Sequence, residues 1–242
     1  MKIIGLTGGI ASGKSFVAEI FKKKGAMIFD ADEEVHKLLE LDKSTILAIK
    51  KKFPTSFIDR KIDRKILGKI VFSEDGICQS RLEPEHLEGS PQGASSLVRR
   101  NNKKHKRNLQ ILEQIIHPKV RKKYLAFLKE AHRKSAKLTV LNIPLLLEKQ
   151  SENGVYKCDK IVAILSPKPI RKKRFLERAK KADSKNFSSE KKNLEKKFEV
   201  IFSKQTTDSE RKKMADFVIR NNGIESLAKQ IEEVMNYAKT DA

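Results

Sequence analysis

The sequence contains no tryptophan and only two cysteines in 242 residues. Cys78 and Cys158 have no second pair with which to form a zinc site, and their spacing fits neither a redox motif nor a disulfide framework. We therefore expect both thiols to be reduced. Long hydrophobic runs are also missing, because the longest, residues 138–147, contains Asn142 and Pro144, and the first residues turn polar before a signal peptide could form. These absences predict a cytoplasmic protein with no membrane partner.

Negative charge is scarce relative to positive charge. Lysine and arginine total 53 against 31 aspartate and glutamate residues, which gives a formal net charge of +22. Such an excess favours polyanionic partners, including nucleotides, phosphate-bearing metabolites and nucleic acid. A lysine-rich proteome explains the same balance equally well, so the charge does not choose among these classes.

Short apolar segments alternate with helical patterns along most of the chain. In two of them, residues 138–143 and 160–165, the apolar residues are continuous, as in parallel strands that are buried on both faces. Further strands are predicted at residues 2–7, 26–29 and 217–219, and a closing amphipathic helix is predicted from Ile224, Leu227, Ile231 and Val234. The pattern predicts one α/β domain over residues 1–242, with a doubly wound parallel sheet and ligands at the carboxyl ends of its strands.

Residues 78–107 do not fit this pattern. They include prolines, glycines and several serines, and they end in a basic run at residues 99–107. No aromatic residue interleaves with these charges to stack on bases, so a tolerated surface insertion is favoured over an RNA-binding arm. A second lysine-rich stretch, residues 179–197, has no clear apolar face and suits a mobile lid.

A phosphate-binding motif lies between the first predicted strand and the first predicted helix. Residues 8–15, GGIASGKS, match the pattern G-x-x-x-x-G-K-[ST] in the context that the motif requires. Its glycines let backbone N–H groups converge on phosphates, Lys14 would reach the β- and γ-phosphates, and Ser15 would ligate Mg²⁺. Ala11 is a mild departure from an all-glycine loop. The motif predicts binding of ATP or GTP.

Two aspartates follow the second predicted strand. Asp32 is the best candidate for the general base that takes a proton from an attacking hydroxyl, because the end of a neighbouring parallel strand can bring its carboxylate to the phosphates. Asp30 would support it through water or Mg²⁺. The alternative is that one of the two aspartates caps a helix that begins near Glu33.

Residues 4–15, IGLTGGIASGKS, closely resemble the opening of dephospho-CoA kinases. The similarity continues in the family's order through shorter motifs, which cover nearly the whole chain apart from the insertion after Ile77 and a lengthened segment at residues 178–205. These motifs are Asp30-Ala31-Asp32, Asp63-Arg64, Val71-Phe72, Leu112-Glu113, His117-Pro118, Pro144-Leu145-Leu146, Ala215-Asp216, Val218-Ile219 and Asn221.

The resemblance implies the three-layer P-loop NTPase fold, with a helical substrate-binding region at about residues 33–134 and a lid at about residues 171–207. It implies transfer of the γ-phosphate of ATP, with Mg²⁺, to the ribose 3′-hydroxyl of dephospho-CoA, which is the last step of coenzyme A biosynthesis. On this reading Asp32 is the general base, and Lys14 and Arg174 are catalytic with it. We expect a monomer that binds no nucleic acid.

The same resemblance implies a set of binding residues. Contacts to ATP are expected from Gly8, Gly9, Ala11, Ser12, Gly13, Lys14, Ser15, Phe16, Arg178 and Asn221, contacts to dephospho-CoA from Thr7, Asp32, Arg64 and His117, and metal ligation from Ser15. For several of these an ordinary structural role is also open: a solvated helix face for Arg174 and Arg178, a buried hydrogen-bonding residue in a broken helical pattern for His117, and a helix cap for Asn221.

The sequence departs from the family's usual pattern at Phe16, where threonine is common, at Leu147, where phenylalanine is frequent, and in its two basic insertions. None of these changes removes a reacting group. Two other functions stay open at this point. One is a P-loop kinase for a nucleoside, nucleotide or shikimate-like acceptor, and the other is a nucleic-acid-binding ATPase or structural RNA-binding protein suggested by the charge.

Overall fold

The computed structural model describes residues 1–72, 94–143, 156–182, 184 and 186–237. Its strands are β1 Lys2–Thr7, β2 Met27–Asp30, β3 Phe57–Ile58, β4 Lys61–Ile62, β5 Leu138–Asn142, β6 Lys160–Leu165 and β7 Phe217–Arg220. Its helices are α1 Lys14–Lys23, α2 Ala31–Leu41, α3 Lys43–Lys52, α4 Arg64–Val71, α5 Ala94–Arg133, α6 Lys168–Ala182, α7 Phe187–Ser203, α8 Asp208–Met214 and α9 Ile224–Tyr237, with a short 3₁₀ turn at Pro54–Ser56.

Five strands form one parallel sheet in the order β2-β5-β1-β6-β7. All five had been expected from the apolar segments, and the α/β class with its parallel sheet is confirmed. The central strand is β1, which pairs with β5 on one side and with β6 on the other. All carboxyl ends therefore lie at one edge, and the turn after β1 lies between the ends of β5 and β6.

Helices cover both faces of this sheet. On one face, buried residues of β1, β5 and β6 form a core with the buried sides of α1 and α9. The helices contribute Phe21, Leu227 and Ile231, among others. On β2, Ile28 packs against that core, whereas the next residue, Phe29, contacts Tyr124 and Phe127 of α5 with ring centroids 5.5 and 5.4 Å away. Successive strand residues point to opposite faces, so the sheet lies between two helical layers.

The chain divides into two compact units, one made of Met1–Asp32 with Tyr124–Ala242 and the other of Glu33–Lys123. In the second unit Asp42 caps α3 by accepting from the Thr45 N–H at 2.6 Å, and it also accepts from Lys119 of α5 at 2.6 Å. Asp63 caps α4 through the N–H groups of Lys65 and Ile66. The expectation of one domain over residues 1–242 stays a prediction.

The long helix α5 includes part of the predicted insertion and the whole of the region where a broken helix was expected. It begins at Ala94, within residues 78–107, and it continues through Pro118. Near its start His105 and Asn108 contact the carbonyl oxygen of Ile70, at the end of α4, at 3.1 and 2.9 Å. A proline inside a helix removes one backbone donor, so the remaining bonds of α5 must hold it together there.

Several sequence features lie outside the described residues. These are Cys78, the family-like motif Pro144-Leu145-Leu146, and Leu147. Within the described ranges, none of the helices has the length and apolar character that crossing a membrane requires.

Candidate active site

The turn after β1 has the backbone of a phosphate-binding loop. Gly13 precedes α1 in the left-handed region, with φ 96° and ψ 24°. Ala11 is also left-handed, with φ 53°, a conformation that costs an L-residue about 1–2 kcal/mol. The first-turn N–H groups of α1 have no intrahelical acceptors, and the helix dipole adds partial positive charge at the same place. The loop is therefore shaped to bind an anion.

Glycine at positions 8, 9 and 13 is required by close packing around the loop. A Cβ on Gly8 would lie 2.7 Å from the carbonyl oxygen of Ile164. A Cβ on Gly9 would overlap the Arg171 guanidinium, and one on Gly13 would overlap the Asn221 side-chain amide. The P-loop pattern thus reflects contacts with distant segments as well as room for phosphates.

Lys14 lies beside the loop and folds back onto it. Its Nζ donates to the carbonyl oxygen of Gly8 at 2.7 Å. The pKa of Lys14 is lowered to about 8, chiefly by burial and also by the positive charges of Arg211, Arg171 and Arg178, while the negative charge of Asp32 opposes this shift. Burial of a cation without a full counter-charge is favourable only if an anion completes the site, as a polyphosphate would.

Ser12 in the loop differs in solvent exposure from Ser15 and Phe16 in the first turn of α1. Ser12 is 1% exposed, and its Oγ has no hydrogen-bond partner within the described part of the chain. Ser15 and Phe16, in contrast, are exposed at the start of α1. An orphaned buried hydroxyl in a loop of this shape fits a phosphate oxygen, because a buried polar group normally has a partner.

Asp30 and Asp32 lie two strands away from the loop, since β5 separates β2 from β1. Two strand spacings amount to about 10 Å, enough to accommodate a phosphoryl group between loop and carboxylate. The Asp30 carboxylate accepts from the side-chain amide of Asn142, the last residue of β5, at 2.6 Å. Helix α2 begins at Ala31, before Glu33, so Asp32 lies inside the first turn and does not precede the helix as an N-cap does.

Arg174 and Asn221 are bonded to the loop and to each other. Arg174 donates to the Ser12 carbonyl at 3.3 Å and to the Asn221 side-chain oxygen at 3.2 Å. The Asn221 side-chain amide donates to the Ser12 carbonyl at 2.9 Å and is 3% exposed. These bonds answer part of what the sequence left open. Arg174 does not belong to a solvated helix face, and the side chain of Asn221 is hydrogen-bonded to the loop. Arg178, one turn further along α6, is exposed.

A second group of residues at the loop had no sequence motif to mark it. Arg171 is 2% exposed, and its Nε donates to the Ile10 carbonyl at 2.9 Å. The Ile10 N–H donates to the Gln205 side-chain oxygen at 2.7 Å. Asp208 lies 3.1 Å from Arg171 and 3.4 Å from Arg211, which is 3% exposed. Arg171 lies three residues before Arg174 in the same basic segment, where nothing in the sequence set it apart from the neighbouring cations, and a single glutamine gave no signal either.

The expected acceptor-side residues fall in both units. Thr7 is the last residue of β1 and is 4% exposed. In the second unit Arg64 is the first residue of α4, with its guanidinium 3.9 Å from the Glu40 carboxylate. The His117 side chain is 54% exposed and 4.0 Å from the Glu113 carboxylate. His117 is therefore not a buried hydrogen-bonding residue.

Few side chains of the described residues are placed to coordinate magnesium. Among the residues with described positions there is no group of three or more His, Cys, Asp and Glu side chains that could hold a metal ion. Mg²⁺ bound with substrate phosphates commonly takes only one or two protein ligands and keeps several waters. The exposed Ser15 hydroxyl and the nearby Asp32 carboxylate fit that mode of binding.

Comparison with known proteins gives one consistent result. The family model described as dephospho-CoA kinase (CoaE) matches residues 2–83 and 96–226. A dephospho-CoA kinase from Bartonella henselae is 36% identical over 219 residues, which cover 90% of this chain and 88% of that protein. One from Rhodopseudomonas palustris (strain HaA2) is 30% identical over 240 residues, covering 98% and 96%.

Two solved structures share the fold. The protein TT1252 from Thermus thermophilus has a TM-score of 0.67 and is 24% identical, with 100% of this chain and 98% of that chain covered. The dephospho-CoA kinase from Campylobacter jejuni has a TM-score of 0.52 and is also 24% identical, with 98% and 97% covered. At this identity the two structures support the fold alone.

Proposed function

The chain belongs to the dephospho-CoA kinase family, which catalyses the final step of coenzyme A biosynthesis, and we propose that its loop at residues 8–15 binds ATP while Asp32 is the general base. Family membership decides between the functions that the sequence left open. A kinase for another acceptor and a nucleic-acid-binding ATPase are both set aside, because the match extends over most of the chain rather than over the P-loop alone.

One observation supports the ATP site: the loop before α1 contains a half-buried lysine and a buried hydroxyl that has no hydrogen-bond partner within the described chain. Lys14 has a pKa lowered to about 8, chiefly by burial, and Ser12 Oγ is unbonded within the described chain. A polyphosphate would supply the missing charge to Lys14 and the missing hydrogen bond to Ser12. We assign the remaining ATP contacts to Gly8, Gly9, Ala11, Gly13, Ser15, Phe16, Arg178 and Asn221.

Asp32 supports the acceptor side of the proposal. Its carboxylate is exposed, and it is close enough to Lys14 to raise the pKa of that lysine. The acceptor hydroxyl would lie between the loop and Asp32, which would receive its proton as the new O–P bond forms and the bond from the γ-phosphorus to the β,γ-bridging oxygen breaks. Asp30, which is engaged by Asn142, would position the start of α2 rather than take the proton.

Arg174 supports catalysis through its position. It is bonded to the Ser12 carbonyl and to Asn221, so its charge is held beside the phosphate loop before any nucleotide arrives. A preorganised cation next to a transferring phosphoryl group stabilises the charge that spreads over its oxygens. Arg178 would add a second positive charge from the same face of α6.

Mg²⁺ would be held by Ser15 and the substrate phosphates, and when bound it neutralises charge on the β- and γ-phosphate oxygens. Thr7, Arg64 and His117 are proposed contacts of dephospho-CoA, in which a guanidinium suits the pyrophosphate. A monomeric state and a cytoplasmic location belong to the same proposal.

The direct test is an assay of ADP release with dephospho-CoA, run beside adenosine, AMP and shikimate at the same concentration. We expect turnover with dephospho-CoA that exceeds the others by at least tenfold, with coenzyme A identified by mass as the product. ADP release that does not depend on any acceptor would contradict a kinase, and preference for another acceptor would contradict the assignment of dephospho-CoA.

A further inference from the structure

The peptide groups on both sides of Ile10 are held by side chains from the C-terminal half of the chain. The Ile10 N–H donates to Gln205 Oε1 at 2.7 Å, and the Ile10 carbonyl accepts from Arg171 Nε at 2.9 Å. Both polar backbone groups of this loop residue are therefore occupied by protein. The N–H is therefore not available to a phosphate, and the two bonds fix the orientation of the neighbouring peptides.

Arg171 and Gln205 lie at the two ends of one helical hairpin. Arg171 is in the first turn of α6, and Gln205 follows the end of α7 by two residues. The two helices pack against each other, with the Phe175 and Phe198 rings 5.7 Å apart and Lys168 Nζ 2.6 Å from the Glu199 carboxylate. Residues 172–204, which form most of the predicted lid, are thus anchored on Ile10 at both ends.

The Arg171 anchor is rigid as well as buried. Its guanidinium lies 4.6 Å from the centre of the Phe202 ring and 3.1 Å from Asp208, and Gly9 leaves the space that it occupies. A guanidinium that is 2% exposed needs these partners, because an unpaired buried charge is strongly destabilising. Its position is therefore determined by α7 and α8 together, and the loop must follow it.

We propose that Arg171 and Gln205 are positioning residues that form a clamp, through which the α6–α7 hairpin sets the backbone of the phosphate-binding loop for ATP. This inference rests on the proposed ATP site. The next residue, Ala11, has a left-handed backbone that an alanine adopts only when its surroundings hold it there. The clamp supplies that restraint, and it also transmits a displacement of the hairpin to the loop.

The electrostatics of the loop agree with this arrangement. The charges of Arg171 and of its neighbour Arg211 both lower the pKa of Lys14, so the clamp places positive charge where ATP phosphates would bind. A polyanion relieves the repulsion among these cations. Binding of ATP should therefore tighten the clamp, and the hairpin should become more ordered when ATP is present.

Two substitutions test the clamp, with a matched control. Gln205→Met keeps the length of the side chain but removes the acceptor for the Ile10 N–H. Arg171→Lys keeps the charge but loses the planar group that bonds Ile10 and Asp208. Lys204→Met is the control, because Lys204 is exposed and adjacent to Gln205. ATP affinity is measured by calorimetry, and backbone amide exchange is followed with and without ATP.

We expect Gln205→Met to weaken ATP binding about five- to tenfold, as the loss of one hydrogen bond predicts, with KM for dephospho-CoA unchanged. ATP-induced protection of amides at residues 187–203 should be lost in this variant and kept in Lys204→Met. If Arg171→Lys folds, its effect should be non-additive with that of Gln205→Met, because both act on the backbone of Ile10.

A Gln205→Met protein with a lowered melting temperature but wild-type ATP affinity and wild-type protection of the hairpin would overturn the clamp, since the contact would then be only structural. This result would leave the proposed function intact. A wild-type protein that does not bind ATP would instead contradict the proposed function, and the clamp with it.

Discussion

The ammonium group of Lys14 donates to the carbonyl oxygen of Gly8 at 2.7 Å, and this bond closes the loop on itself. Lys14, which we propose to bind the phosphates, is thus hydrogen-bonded to the backbone of its own loop. A bound polyphosphate would exchange a neutral carbonyl for a charged oxygen, which makes a stronger hydrogen bond. The charge state of Lys14 then controls how much is gained.

ATP affinity should depend on pH above about 8. Without ligand the pKa of Lys14 is lowered to about 8, chiefly by burial, whereas phosphates favour the charged form and raise it again. Below that pH the lysine is already charged and affinity is flat. Above it binding takes up a proton, so affinity falls by up to tenfold per pH unit.

Calorimetry from about pH 7.5 to 9.5, in buffers of different ionisation enthalpy, measures both the affinity and the proton uptake. Lys14→Arg is the matched control, because an arginine stays charged throughout this range and should remove the inflection. Constant affinity of the wild type up to pH 9.5 would show that Lys14 does not titrate in the site.

Replacement of Asp32 by asparagine should separate catalysis from nucleotide binding. We expect kcat to fall by about 10²- to 10⁴-fold, the usual contribution of a general base, while the Kd for ATP changes by no more than about threefold. Glu33→Gln removes the adjacent exposed carboxylate and should keep nearly full activity. Equal losses in both variants would mean that local negative charge, and not proton transfer to Asp32, is what matters.

Gly9→Ala should damage the loop although it adds only one methyl group. The new Cβ would overlap the buried Arg171 guanidinium, so either the arginine or the loop must move. We expect a loss of about 1–3 kcal/mol in the free energy of unfolding and weaker ATP binding. Gly68→Ala is the comparison, because a Cβ at this position of helix α4 would meet no atom within 4 Å apart from its chain neighbours and the backbone of its own helix, and it should stabilise the protein by about 0.5–1 kcal/mol. Similar melting temperatures for the two variants would contradict the contact.

Asn142→Asp should make stability sensitive to pH. The new carboxyl group would face Asp30 at the 2.6 Å hydrogen bond now made by the amide, and two carboxylates that share a site raise the pKa of one of them. A carboxyl whose pKa is raised on folding destabilises the protein as pH rises through that pKa. We expect a loss of about 2–4 kcal/mol at pH 7.5 that largely disappears near pH 4.5.

Chemical denaturation at the two pH values measures this difference. Asn222→Asp is the control, since Asn222 is exposed and should respond little at either pH. A loss in Asn142→Asp that is the same at both pH values would show that the variant is destabilised by repacking and not by charge.

The sheet and the phosphate loop could be predicted from the sequence because both depend on local patterns. Continuous apolar segments identified all five strands of the main sheet, and the spacing of glycines and Lys14 identified the loop. The order of the strands could not be predicted in this way. That β5 lies between β1 and β2, and brings Asn142 to Asp30, depends on pairing between segments more than 100 residues apart.

In the predicted lid, the packed aromatic side chains lie outside the segment in which the sequence showed no apolar face. Residues 179–197 gave no apolar face, yet α7 continues to Ser203 and buries Phe198, the residue just after that stretch. Phe198 packs against Phe175 and Phe202, and these contacts hold the hairpin together. Arg171 and Gln205 were not found because their role comes only from where the two ends of this hairpin meet the loop.

The ribosome makes the loop at residues 8–15 well before the residues that support it. Ile10 and Gln205 are 195 positions apart, and Ser12 and Asn221 are 209 positions apart. A nascent chain that has not yet released Asn221 therefore has the motif without the residues that hold its shape. On the proposed ATP site, products truncated before Asn221 should therefore not sequester ATP even though they carry every residue of the motif.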